Sequence, residues 1–193
     1  MKQKQTILIL VLLIVLLSAI TASFGIFSNQ GNGSYQYESI RGETVDIYGR
    51  GVYHHMSADV AVQGIAQDYV TLFVGIPLLL ISLLGYRRNS LRCHFLLAGT
   101  LMYFFVTYLF YTAMGMYNVL FILYTALLGL SFFGLSLSIY SFDFKGITKQ
   151  LSERAPNKLV GGFLIFNSIV IAILWLGVII PPLIDGTIYP IEL

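Results

Sequence analysis

The residues best equipped for chemistry stand in one stretch, GVYHHMSADVAVQGIAQD at 51–68, which carries His54, His55, Asp59 and Asp68 ahead of an apolar run. Were a helix to begin early enough, His55 and Asp59 would lie four residues apart on one face and share a metal ion. Nothing in the chain completes such a ligand set: it has no HExxH, no cysteine pair and no second histidine cluster. Ser57-Ala58-Asp59 reads as a helix start, with Ser57 as N-cap and an acid in the first turn, which puts both histidines before the helix. No metal and no cofactor is assigned. His54, His55 and Asp59 stand as candidate binding residues at an interface.

Asp68 lies deeper in the apolar sequence, where a carboxylate is costly and has a partner or a task. An ion pair with Arg41 or Arg50, pinning the preceding loop to the helices, is the favoured reading, and a substrate-contacting carboxylate is the alternative. Further on, Tyr103, Thr107 and Tyr111 recur every four residues and share a helical face. They add Tyr103 and Tyr111 to the candidate binding residues, although tyrosines toward a helix end also form interfacial belts. The single cysteine, Cys93, has no partner for an intramolecular disulfide, and Arg92 and His94 flank it.

The elements that must position these groups are membrane helices. Of 193 residues 57% are apolar and only 10% charged, against about a quarter charged in soluble domains. Five apolar stretches, about 6–27, 69–86, 93–113, 117–140 and 159–181, approach or exceed the roughly 20 residues a helical span requires. They are too long and too continuously apolar for barrel strands. The expected fold is an all-α membrane bundle of five transmembrane helices with a small extracytoplasmic loop and hairpin cap. It divides into a first helix at 1–27, a cap and helix start at 28–68, and a four-helix region with a short tail at 69–193.

Charge placement orients the bundle. Nine of the 11 cations, namely Lys2, Lys4, Arg87, Arg88, Arg92, Lys145, Lys149, Arg154 and Lys158, fall on one side of the five stretches. The positive-inside rule then places the N-terminus in the cytoplasm and the C-terminus outside a plasma membrane. A basic start, an apolar run and small residues also describe a secretory signal peptide at the N-terminus. Apolar residues continuing through Phe27 favour an uncleaved anchor.

Within the cap, SNQGNGSYQY reads as a flexible loop, and TVDIYGRGVY as a hairpin turning at Gly49-Arg50-Gly51. One long helix is expected over 58–86, with a kink at Pro77. MGMYN leaves room only for an antiparallel connection, and the last span is expected to stop at Pro181-Pro182.

The segments RGETVDIYGRGVY, AQDYVTLFVGIPLLLISLL and YNVLFILYTALLGLSFF resemble a group of uncharacterised bacterial multi-pass membrane proteins over roughly 41–140. The resemblance implies the membrane class and no activity. It does not include the double histidine, and it implies further helices beyond these five.

The central parts of spans one, three, four and five carry no Asp, Glu, Lys or Arg, so no buried proton relay is expected. Phosphate-binding loops and GxSxG elbows are absent, no basic run suggests nucleic acid, and no enzyme activity is assigned. The expected role is a binding, accessory or assembly component that offers its cap to a membrane-protein partner or lipid-like ligand, with membrane lipid around it. Alternatives are a small transporter or channel component acting as a homo-oligomer, and an outer-face metal or redox enzyme.

Overall fold

A computed structural model describes residues 2–40, 42, 44–144, 146 and 157–186. Five helices are long and apolar enough to span a membrane. The chain divides into a unit over 1–142 and a second over 143–192.

In the first unit α1 (Lys2–Phe27) leads to a two-stranded antiparallel hairpin, β1 (Tyr35–Glu38) and β2 (Thr44–Ile47), and a short 3-10 turn at Gly51–Tyr53. Then come α2 (Ala58–Val70), a π turn at Thr71–Gly75, α3 (Ile76–Arg87), α4 (Leu91–Ala113) and α5 (Phe121–Tyr140). The buried positions explain why these helices associate. In α1 they include Ile7, Val11, Ile14, Ser18 and Thr21; in α4 Leu97, Leu101, Phe104, Tyr108 and Tyr111; in α5 Tyr124, Leu127, Ser131, Gly134 and Ser138. Each series steps by three or four residues, which holds one stripe of a helix against its neighbours. The opposite faces are apolar too, with Ile9, Leu16, Phe73, Leu84, Phe110 and Phe133 exposed. A helix apolar all round has no stable place in water, so these faces suit a hydrocarbon solvent. Two buried serines are satisfied within their own helices: Ser18 donates to the Ile14 carbonyl at 2.5 Å and Ser131 to that of Leu127 at 2.6 Å.

Four expectations are corrected. The hairpin uses Tyr35–Glu38, read above as loop, instead of the chain after Gly51; Tyr35 pairs with Ile47 and Tyr37 with Val45. Gly49 and Gly51 adopt φ of 67° and 57°, and a Cβ on Gly49 would lie 1.9 Å from the Gly33 carbonyl oxygen. These glycines serve close main-chain crossing and not a hairpin turn. The long helix expected over 58–86 is present as Ala58–Arg87, but its change of winding is the π turn at Thr71–Gly75, just ahead of Pro77, instead of a kink at the proline itself. The fourth helix starts at Phe121 and not at 117, because Asn118 accepts from Leu120 N at 2.8 Å in a turn following Gly115. In the second unit α6 (Asn157–Asp185) continues past Pro181 and Pro182. Proline supplies a helical φ already, so the final turn persists despite two lost donors. Most of the loop read as linking the fourth and fifth spans, 145 and 147–156, lies outside the described residues.

The helix ends remote from the hairpin are tied by polar contacts. Gln3 donates to the Leu137 carbonyl at 3.2 Å, and Lys4 reaches Asn89 in the α3–α4 turn. His94 lies between Tyr86 and Phe142, its Nε2 3.0 Å from the Ser138 carbonyl. Beside it α3 and α4 touch closely: a Cβ added to Gly85 would meet Cys93 Sγ at 2.1 Å. Gly85→Ala is therefore expected to cost about 1–3 kcal/mol through overpacking. It should lower the thermal unfolding midpoint in detergent and speed maleimide labelling of Cys93, the chain's only thiol; unchanged labelling would contradict the close approach.

Candidate functional site

The first site is built around Asp68. Ser57 caps α2, its Oγ accepting from Val60 N at 3.3 Å, and this fixes the phase of the helix. Ala61, Gly64, Asp68, Thr71 and Gly75 then recur at three- and four-residue steps along the buried side. Asp68 points inward because it occupies the same phase as these small residues, and it is 4% exposed. Glycine in α1 makes the space: a Cβ on Gly25 would lie 1.7 Å from Asp68 Oδ2.

Tyrosine hydroxyls hold the carboxyl group. Tyr53 donates to Asp68 Oδ2 at 2.5 Å. Tyr111 OH lies 3.3 Å from Asp68 Oδ1 and 3.2 Å from the Gly64 carbonyl, and its one proton serves either acceptor. Aromatic contacts extend the cluster, Tyr111 meeting Tyr124 edge-on at 5.1 Å and Tyr124 stacking near Tyr108 at 6.2 Å. Tyr108 in turn lies 3.4 Å from Thr21 of α1. Burial, with Tyr111 and Asp68 beside it, pushes the Tyr53 phenol far above its ordinary range, so it remains a donor.

Among the described residues Tyr53 is the member of this cluster from outside the long helices, so the Tyr53–Asp68 bond is one attachment of segment 28–57 to the bundle. Val52 and Met56 are buried alongside it, and Ser28 Oγ accepts from Val52 N at 2.9 Å. Among the described residues Asp68 is held by hydroxyl contacts and by no ion pair. Arg50 is exposed, with its guanidinium beside Gly33, and Arg41 lies outside the described residues.

Tyr103 belongs to a neighbouring cluster. Gln67 donates to its hydroxyl at 2.8 Å and to Thr107 at 3.1 Å, while Thr71 Oγ1 lies 2.8 Å from the same hydroxyl. The π turn presents Thr71 and Gly75 to α4 here, and such turns are frequent at functional sites. An apolar groove of about 330 Å³ runs beside it, between Val70, Val74 and Leu78 on one wall and Phe95 and Gly99 on the other.

The histidines stand apart from Asp68. Both line an open cleft of about 450 Å³ in segment 28–57, together with Gln30, Asn32, Tyr35 and four glycines. His54 Nδ1 is 2.8 Å from the Gly51 carbonyl, and the two imidazole centres are 3.8 Å apart. Asp59 is exposed in the first turn of α2 and does not line the cleft. Among the described residues no three His, Cys, Asp or Glu side chains gather as a metal set.

The structure thus joins Asp68 with Tyr111, sets Tyr103 one cluster away, and separates both from His54 and His55. Sequence reasoning missed Gly25, Tyr53, Gln67 and the cleft. The Gly64–Asp68–Thr71 phase was readable as an inward face; Gly25 carried no signal within a uniformly apolar span. No family model, no curated protein and no solved structure matches the chain.

Removing the donor or the acceptor should loosen the same junction. Tyr53→Phe is expected to cost about 1.5–3 kcal/mol as a lost bond to a buried carboxylate. Asp68→Ala should cost about 2–4 kcal/mol by leaving a void and idle hydroxyls. Limited proteolysis should show faster cutting within 28–57 in both variants while the helices persist. The Tyr53 contribution is complete below pH 10.0, the ordinary phenol value, and is lost as pH rises beyond it because the unfolded phenol ionises first. Chemical-unfolding curves across alkaline pH should accordingly fall less steeply for Tyr53→Phe than for the parent chain.

Proposed function

We propose that the protein is a multi-pass plasma-membrane component that binds a partner or ligand through segment 28–57, acting as an outward-facing cap. The observation that carries this reading is the attachment of the cap: the Tyr53–Asp68 hydrogen bond holds an open cleft in fixed register on the bundle. A loop that merely linked two helices would need no buried acid and no cleft. Polar groups held on a rigid support are what recognition requires.

The charge pattern supports the orientation. Lys4, Arg87, Arg88 and Arg92 cluster at the α1 start and the α3–α4 turn, opposite the cap, so that end faces the cytoplasm. The buried stripe of α1 and the Gly25 space for Asp68 support a retained first helix, since its removal would strip one wall from the carboxylate. A second reading has its own support: the apolar groove beside Tyr103 offers a lipid chain a seat along α3 and α4. A homo-oligomeric transporter component is the competing class.

Two measurements test the proposal. In a Cys93→Ala background, a cysteine replacing His55 should react with a membrane-impermeant maleimide on intact cells; reaction only after lysis would invert the topology. A photo-cross-linker replacing exposed Tyr37 should join the chain to a different membrane or surface component in native membranes. Adducts solely between copies of this chain would instead support the oligomeric transporter.

A further inference from the structure

The cleft in the cap has a lining that specifies a class of ligand. Its side chains are the amides of Gln30 and Asn32, the phenol of Tyr35 and the imidazoles of His54 and His55; among the described residues no Asp, Glu, Lys or Arg lines it. The remaining wall is bare main chain. A Cβ on Gly31 would lie 2.3 Å from the Gly49 carbonyl oxygen, so two backbone segments cross there in direct contact and leave little room to deform. Gly49 N donates to the His54 carbonyl at 3.2 Å and Gly51 N to that of Gln30 at 2.7 Å, which ties both sides of the cleft together. Tyr35, on β1, lines the cleft and is 49% exposed.

Each amide offers a donor and an acceptor side by side, a geometry that matches neighbouring hydroxyl groups, themselves both donor and acceptor. The negative face of an aromatic ring attracts the weakly positive C–H edge of a saturated polar ring. A ligand satisfying both is uncharged, rich in hydroxyls and flat on one C–H face. Metal binding fits less well: two imidazoles on one tetrahedral ion hold their centres about 5 Å apart, whereas these stand at 3.8 Å. The nearest described cation, Arg50, has its guanidinium beside Gly33 and is not itself part of the lining, so inorganic phosphate binding at the cleft in place of saccharide would also overturn a neutral ligand.

From this we infer that the cleft binds a neutral saccharide, with Tyr35 stacking on the sugar ring, Gln30 and Asn32 pairing with its hydroxyls, and His54, anchored to the Gly51 carbonyl, closing one side. The inference deepens the reading of the cap as a recognition surface and rests on it for its biological sense. The ligand class itself is testable on the isolated protein.

The full chain in lipid nanodiscs would be titrated with neutral tetrasaccharides of glucose, galactose, mannose and N-acetylglucosamine, read by saturation-transfer NMR. At least one should receive saturation at its ring C–H protons. Tyr35→Ala should weaken that binding by about tenfold or more, and Tyr35→Phe, which keeps the ring, by less than about threefold. Asn32→Ala supplies an independent variant that leaves the hairpin intact, and it too should weaken binding. No transfer to any of the four, or transfer indifferent to Tyr35→Ala and Asn32→Ala, overturns the inference. So does stoichiometric Zn²⁺ binding through His54 and His55, or capture of a peptide at the cleft, without saccharide binding. Saccharide binding together with cross-links only between copies would remove the accessory role and leave the cleft assignment standing; a foreign adduct without saccharide binding would do the reverse.

Discussion

A carboxylate enclosed by apolar helices constrains the rest of this structure. An ionisable group in hydrocarbon costs several kcal/mol unless its oxygens are satisfied, and Asp68 is satisfied by hydroxyls from two different places, Tyr53 in the cap and Tyr111 in α4. Around that requirement the neighbours fall into line. Gly25 yields space, the Gly64 carbonyl competes for the Tyr111 proton, and Val52 and Met56 bury themselves to bring Tyr53 within reach. The cap is therefore joined to the bundle by a polar contact inside an apolar shell, where water does not compete for the bond.

Much of the helical architecture was legible because long apolar runs simplify the reading. Long apolar runs admit one spanning structure, and Ser57 marked the helix start by its own capping chemistry. The cap was harder. Glycines 49 and 51 signalled a turn, yet their role is set by main chain 16 to 23 residues earlier, Gly33 and Ser28, and no local pattern encodes that contact. Proline 77 drew attention to a break in the helix, while the actual change of winding lies just upstream, where the sequence TLFVG has no distinctive breaker chemistry.

The candidate site was legible in part for a related reason. Asp68 stood out because its class is rare in apolar sequence, and Tyr111 because of a four-residue repeat. Their union depended on Tyr53, which looked like a strand residue and belongs to a 3-10 turn. Conversely, His54 and His55 attracted a joint reading with Asp68 through sequence proximity alone. Both histidines line the cleft while the adjacent Tyr53 turns to Asp68, so neighbours in sequence belong to different environments. The cleft around the histidines, built from Gln30 to His55, arises from chain crossing that periodicity does not report.

The order in which the carboxylate's two donors appear along the chain bears on biosynthesis. Tyr53 precedes Asp68 by 15 positions, whereas Tyr111 follows it by 43. At roughly 5–20 residues per second of elongation, the acid would wait about two to nine seconds for the later hydroxyl. The earlier one has already left the ribosome, so the nascent chain can bury this awkward side chain with an escort in place.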